Sequence, residues 1–360
     1  MTKSVAAAPV RRRARRRYAL LATIVVCALA AVGLTRDPTP YFLERRSHLV
    51  SWTETPAELV DGHWVHTARL VAASGLAVEL AVKRPAALAP GEPKQRQSVI
   101  VLGGHRTGRD AIKLIPDTRG TVVVALAYPY AGEHRLKGVV PVLRHVPMIR
   151  RAIRDTPPAL MVAMDYLSRQ PYVDPRRVEA AGVSLGVPFV CIAGALDQRF
   201  SRIWAIHGSG ESFTPLEHNM RRTIPFAPLR VPAAALATLL IGGSQLAPER
   251  WVERIAPRHF VMINAVDDEK LPRRSVDVLY ERAREPKEIT WIPGTHVRAR
   301  EEQVRGLVNM VLDRMLADAP GAGPADRVSI RPTSTRSRAR DLHPTPEDGR
   351  RVRRLRRAAA

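Results

Sequence analysis

Apolar and polar positions fall into two alternating rhythms beyond residue 60. "HWVHTARLVAA" (63–73) and "LAVELAVKRP" (76–85) alternate with a period near two, and Ser74-Gly75 between them supplies a turn, predicting an antiparallel hairpin. Shorter, more continuous apolar runs follow: "SVIVLGGH" (98–105), "TVVVALAYPY" (121–130), "RRVEAAGVSLG" (176–186), "RIWAIHG" (202–208), "HFVMINA" (259–265) and "EITWIPG" (288–294). Runs of this length ending in glycine or polar turns read as strands buried on both faces. Between them, apolar residues recur every three or four positions in "TGRDAIKLI" (107–115), in the stretch around "MIRRAI" and "PALMVAMDYLSRQ" (148–170), in "VPFVCIAGAL" (187–196) and in "SVDVLYERARE" (275–285). A last amphipathic helix is predicted over 300–316. Strand and helix in alternation after an antiparallel start imply an α/β domain with a mostly parallel central sheet and helices on both faces.

One interval breaks the rhythm. Residues 211–256 hold short helical pieces between prolines and lie between two strands, as a small inserted helical cap would. Such an insertion packs against the core or lines an apolar pocket, and the pattern leaves both open. The pattern divides the chain into a basic segment (1–17), an apolar run (18–35), a Pro-rich linker (36–59), the α/β domain (60–318) and a tail (319–360).

Charge sharpens the ends. The chain is 360 residues long with a formal charge of +23, but residues 1–17 carry +7 with no acid and residues 323–360 carry another +7, so the body is only mildly basic. The uncharged run Tyr18–Thr35 directly follows the basic cluster and is about the length of a short transmembrane helix. It predicts a signal anchor, or a cleaved signal peptide with Ala28-Leu29-Ala30 at the cleavage site, and either places the following domain outside the cytoplasm. The tail is rich in Arg, Pro, Ser and Ala and cannot bury a core; it reads as a solvated tail without a specific partner, with an anionic surface as the alternative. No finger, helix-turn-helix or RNA-binding signature supports nucleic acid. Two cysteines, Cys27 and Cys191, rule out a disulfide framework, and both sit in apolar runs. The scattered histidines show no metal spacing, so neither a metal nor another cofactor is expected.

Chemistry concentrates at strand ends. Gly182-Val183-Ser184-Leu185-Gly186 stands between a predicted strand and a predicted helix. A serine there would sit on a sharp turn, and the flanking glycines remove side chains that would collide. A serine hydroxyl needs an imidazole to take its proton, and the imidazole needs an anion to fix its tautomer. An acid pair, Asp267-Asp268, follows "HFVMINA", and His296 follows "EITWIPG", in the order serine, acid, histidine. The strand, the Gly-x-Ser-x-Gly turn, the helix and this order resemble the α/β-hydrolase superfamily, closest to its esterase, dienelactone-hydrolase-like and prolyl-oligopeptidase-like branches.

The resemblance implies Ser184 as nucleophile, His296 as base and Asp268 as acid, since the superfamily's Asp-x-x-apolar-Pro register selects Asp268 with Asp267 as the alternative. It also implies an oxyanion hole made by the Leu185 N–H and a second donor in "LGGHRTG", either His105 or Gly104. Tyr130 and His207 also follow strands and read as packed residues. The expected activity is hydrolysis of a small-molecule or lipid-like carboxylic ester through an acyl-enzyme. A peptidase, thioesterase or acyltransferase of the same fold, and a non-catalytic binding module, remain open at this level.

Overall fold

In the computed structural model, residues 36–86, 94–104, 107–132, 139–298 and 301–317 are described. The chain divides after Arg314, and the described part of the second unit is the end of one helix, Met315–Ala317. Chain order begins with α1 (Thr39–Arg46), β1 (Leu49–Glu54), β2 (Glu58–Val60), β3 (His63–Ala72) and β4 (Ala77–Pro85), then β5 (Arg96–Leu102), β6 (Val122–Leu126), α2 (Val139–Leu167) and β7 (Val173–Val183). It continues with α3 (Val187–Leu196), β8 (Phe200–Ile206), α4 (Phe213–Met220), α5 (Ala227–Ile241), α6 (Gly243–Leu246), β9 (His259–Ala265), α7 (Arg273–Arg282), β10 (Lys287–Ile292) and α8 (Glu301–Ala317).

All ten strands join one mixed sheet in the order β1-β3-β4-β6-β5-β7-β8-β9-β10, with β2 paired to β3. The pairings among β1 to β4, and of β4 with β6, are antiparallel; every pairing from β6 through β10 is parallel. The alternating hairpin and the continuous apolar runs thus take the two positions their patterns require: a partly solvated antiparallel edge and a buried parallel centre. Along β5 and β6, Ile100, Leu102, Val124 and Leu126 join the fully buried cluster that includes Leu160 and Met164 of α2 and Val190 of α3. Val99, Val101 and Val123 alternate with them and face the other side of the sheet.

Two regions differ from the sequence expectation. The stretch read as a linker, 36–59, carries α1, the edge strand β1 and the start of β2. Only the first residue of β1, Leu49, is buried, so no alternation marks it as a strand. Its anchors are distant: Phe42 of α1 is buried against Trp251, with ring centroids 5.7 Å apart, and Arg45 and Tyr41 both bond the carboxylate of Asp155 in α2. The predicted helix 107–115 is instead a 3-10 helix, Gly108–Leu114. Gly108 enters it at a positive φ of 46°, and Ile115 is extended (φ −112°, ψ 90°) because Pro116 follows it. Bounded on both sides, the segment stays short, as 3-10 helices do.

Among the described residues, no helix is long and apolar enough to cross a membrane. The run 18–35, the basic segment 1–17 and the tail 319–360 lie outside the described residues.

Candidate active site

β7 ends at Val183, a single 3-10 turn covers Ser184–Gly186, and α3 begins at Val187. Turning the chain that sharply holds Ser184 at φ +54°, in the left-handed region, which is strained for a residue with a Cβ by roughly 1–3 kcal/mol. The flanking glycines have specific steric causes. A Cβ on Gly182 would lie 2.7 Å from the Gly186 carbonyl and 2.6 Å from Val190, and a Cβ on Gly186 would run into the carbonyl oxygen of Leu102. The turn places the serine over the amino terminus of α3, where free N–H groups and the helix dipole favour negative charge.

His296 comes from the loop between β10 and α8 and is buried. Its Nε2 lies 2.9 Å from the Ser184 Oγ, and its Nδ1 lies 2.8 Å and 3.0 Å from the two carboxylate oxygens of Asp268. Its backbone N–H donates to Glu269 Oε2 at 2.9 Å, fixing the loop independently of the ring. Asp268 sits in the loop after β9, and its Oδ1 accepts the backbone N–H groups of Lys270 and Leu271 at 2.9 and 3.0 Å. Asp267 is exposed, and its N–H donates to the Gly294 carbonyl. The carboxylate that meets His296 is that of Asp268.

A second imidazole completes the cluster. His207, in the loop after β8 at φ +48°, brings its Nδ1 to 3.1 Å from Asp268 Oδ2, and its ring stands edge-on to His296 with centroids 5.1 Å apart. Burial alone would push the Asp268 carboxyl up. The hydrogen bonds from His207 and His296, the charge of His296 and the Lys270 N–H outweigh that and hold it well below the usual carboxylate range. The sequence shows that His207 follows a strand, but its partner lies 61 residues away, which no local pattern reveals.

The early glycine turn faces the same place. Gly103 and Gly104 line the cavity at Ser184, together with Leu185 and His296. The Gly103 carbonyl accepts the Tyr128 hydroxyl at 2.7 Å, and the Gly104 carbonyl accepts both the N–H and the hydroxyl of Thr107 at 3.0 and 2.8 Å. Burial pushes the Tyr128 hydroxyl far up, so it stays a donor. A Cβ on Gly104 would meet nothing within 4 Å, whereas one on Gly103 would meet the Thr107 hydroxyl at 2.6 Å. His105, the other oxyanion candidate, lies outside the described residues, and Tyr130 is not among the residues lining the cavity.

The cavity encloses about 520 Å³. None of its lining residues belongs to the insertion 211–256. The insertion instead braces the acid loop: in α4, His218 Nε2 lies 3.2 Å from the Glu269 carbonyl, and Asn219 donates to the Lys270 carbonyl at 3.0 Å. His207, Asp268 and His296 also form the one group among the described residues whose ligand atoms, all within 4.8 Å of one another, could gather around a metal ion. Both imidazole Nδ1 atoms already meet the Asp268 carboxylate, so a metal would have to displace the bonds that orient His296 toward Ser184.

No family model and no curated protein matches this sequence. Solved structures do match. An acetyl xylan esterase from Paenibacillus sp. R4 superposes with a TM-score of 0.55 at 14% identity, covering 76% of this chain and 92% of its own. Acetyl xylan esterase 1 from Thermoanaerobacterium sp. JW/SL YS485 gives 0.53 at 15% identity, covering 78% and 93%. The 2,6-dihydroxy-pseudo-oxynicotine hydrolase gives 0.50 at 18%, covering 73% and 68%. At such identities the likeness concerns the course of the chain, and with the mixed sheet and strand–turn–helix described above it establishes that this chain has the α/β-hydrolase fold.

Proposed function

We propose that the protein is a serine hydrolase that cleaves carboxylic esters through an acyl-enzyme. The observation that carries this reading is the continuous hydrogen-bonded line from Asp268 through His296 to a strained, cavity-facing Ser184. In the first step His296 Nε2 takes the hydroxyl proton while Ser184 Oγ bonds to the ester carbonyl carbon. The oxyanion that develops is held by the Leu185 N–H and a second backbone donor, that of Gly104 or of His105. His296 then gives its proton to the leaving alkoxide, which departs as the alcohol and leaves Ser184 acylated. Water repeats the sequence, losing a proton to His296 and releasing the acid and free serine. Asp268 fixes the Nδ1–H tautomer and balances the imidazolium formed in both halves. His207 shares that carboxylate and acts as a positioning residue.

Two acetyl xylan esterases among the structural neighbours favour an oxygen ester over an amide. The test is a set of substrates sharing one acyl group and differing only in the leaving atom. Turnover of the oxygen ester above the thioester and amide is expected; faster amide turnover would sink the esterase reading.

The same reading extends to location. Seven cations followed by the uncharged run Tyr18–Thr35 support a retained signal anchor with the domain outside the cytoplasm. Protease added to spheroplasts, whose inner membrane is intact and whose outer envelope is opened, should digest residues beyond 40; protection of these residues on the cytoplasmic side would refute export.

A further inference from the structure

The cavity at Ser184 is lined by α8 and by no residue of the insertion 211–256. Its floor is one face of the sheet, with Ile206 of β8, Val183 of β7, Val101 of β5 and Val123 of β6. The accessible part of that floor covers the neighbouring strands β5, β7 and β8, about 10 Å at the usual strand spacing, while Val123 is fully buried. Its roof is α8, through Leu307, Val308 and Val311, and Leu114 at the end of the 3-10 helix also lines it. The short 3-10 helix contributes Ala111 and Leu114 to the same wall. Opposing ion pairs hold the roof in place. Arg119 meets Asp313 at 2.6 Å from the 3-10 side, and Arg314 bonds Glu288 and Thr290 from the β10 side.

We propose that this channel is the acyl-chain site, and that the substrates are esters of linear acids of medium to long chain. This rests on the reading of Ser184 as nucleophile. Three features select such an occupant. Below the mouth the walls are aliphatic, so a polar acyl group would lose its hydration without replacement. The apolar lining comes from neighbouring strands and from α8 above them, which suits an unbranched chain lying between the two. It opens directly at Ser184 Oγ and His296, so a chain lying in it would carry its carboxyl carbon to the nucleophile. Lys270 and Arg298 are the charged residues among those lining the cavity, and the alcohol part of the ester stays on the open side.

The test uses acetyl, butyryl, octanoyl and dodecanoyl esters of one alcohol, with a parallel titration of dodecanoate into the Ser184→Ala protein. The wild type is expected to prefer the octanoyl and dodecanoyl esters in kcat/KM. Val308→Trp, which places a ring in the cavity, should lower the dodecanoyl-to-acetyl ratio by roughly 200-fold, the loss expected when about four methylenes lose their burial. Leu307→Trp should act in the same direction. Dodecanoate should bind Ser184→Ala, and Val308→Trp added to it should abolish that binding. A wild-type preference for acetyl over the longer esters would overturn the proposal without any variant. So would an unchanged ratio in folded Val308→Trp, or no binding of dodecanoate. Binding that depends on Val308 in a protein that hydrolyses no ester would uphold the channel and reject the nucleophile reading instead.

Discussion

At the scale of single residues, the account turns on which of two adjacent carboxylates serves His296. Asp268 is bound by two imidazoles and two backbone N–H groups, while Asp267 is exposed. Asp268→Asn would leave the ring without its anion and favour the wrong tautomer. It is expected to lower kcat by roughly 10⁴-fold, whereas Asp267→Asn stays within about threefold of wild type. Steady-state kinetics on both variants checks this, and the reverse ranking would contradict it. The serine, the acid pair and the histidine were legible because each follows a strand in a fixed order. His207 was not, because a histidine after a strand has no signature until the fold brings a carboxylate to it.

At the scale of elements, the sharp turn between β7 and α3 depends on its glycines. A methyl group at Gly186 would meet the backbone carbonyl of Leu102, which cannot rotate away. Gly186→Ala is therefore expected to destabilise the fold by about 1–3 kcal/mol, the usual penalty for forced overpacking, read by urea denaturation. An unchanged midpoint would show that β5 and the turn can move apart. The continuous apolar strands and α3 followed from periodicity alone. The edge strand β1 did not, because five of its six positions are exposed, and the segment 107–115 carried helical spacing while Gly108 and Pro116 restricted it to a 3-10 helix. That local departure matters for the site, because Ala111 and Leu114 of the 3-10 segment line the cavity beside Ser184.

At the scale of the whole molecule, burying the Asp268 carboxylate beside two imidazoles couples stability to pH. The Asp268 carboxyl is held below its ordinary value in the folded chain, so the unfolded chain binds its proton more readily. Its contribution is fully present above the unfolded pKa of about 3.9 and is lost as pH falls through the lower folded value. Thermal melts of wild type and Asp268→Asn should differ at neutral pH and converge as pH falls below about 4. A difference that grows on acidification would contradict the sign. The sequence pattern also placed the insertion 211–256 between strands, but which side the substrate cavity takes depends on packing between distant elements.

The central claim is that Ser184 is a nucleophile activated by His296. Its most direct measurement is intact-mass and peptide-mapping analysis after exposure to a fluorophosphonate. The account predicts a single adduct on Ser184, absent in Ser184→Ala and strongly slowed in His296→Ala. No adduct on the folded wild-type protein, or an equal adduct on Ser184→Ala, would contradict it.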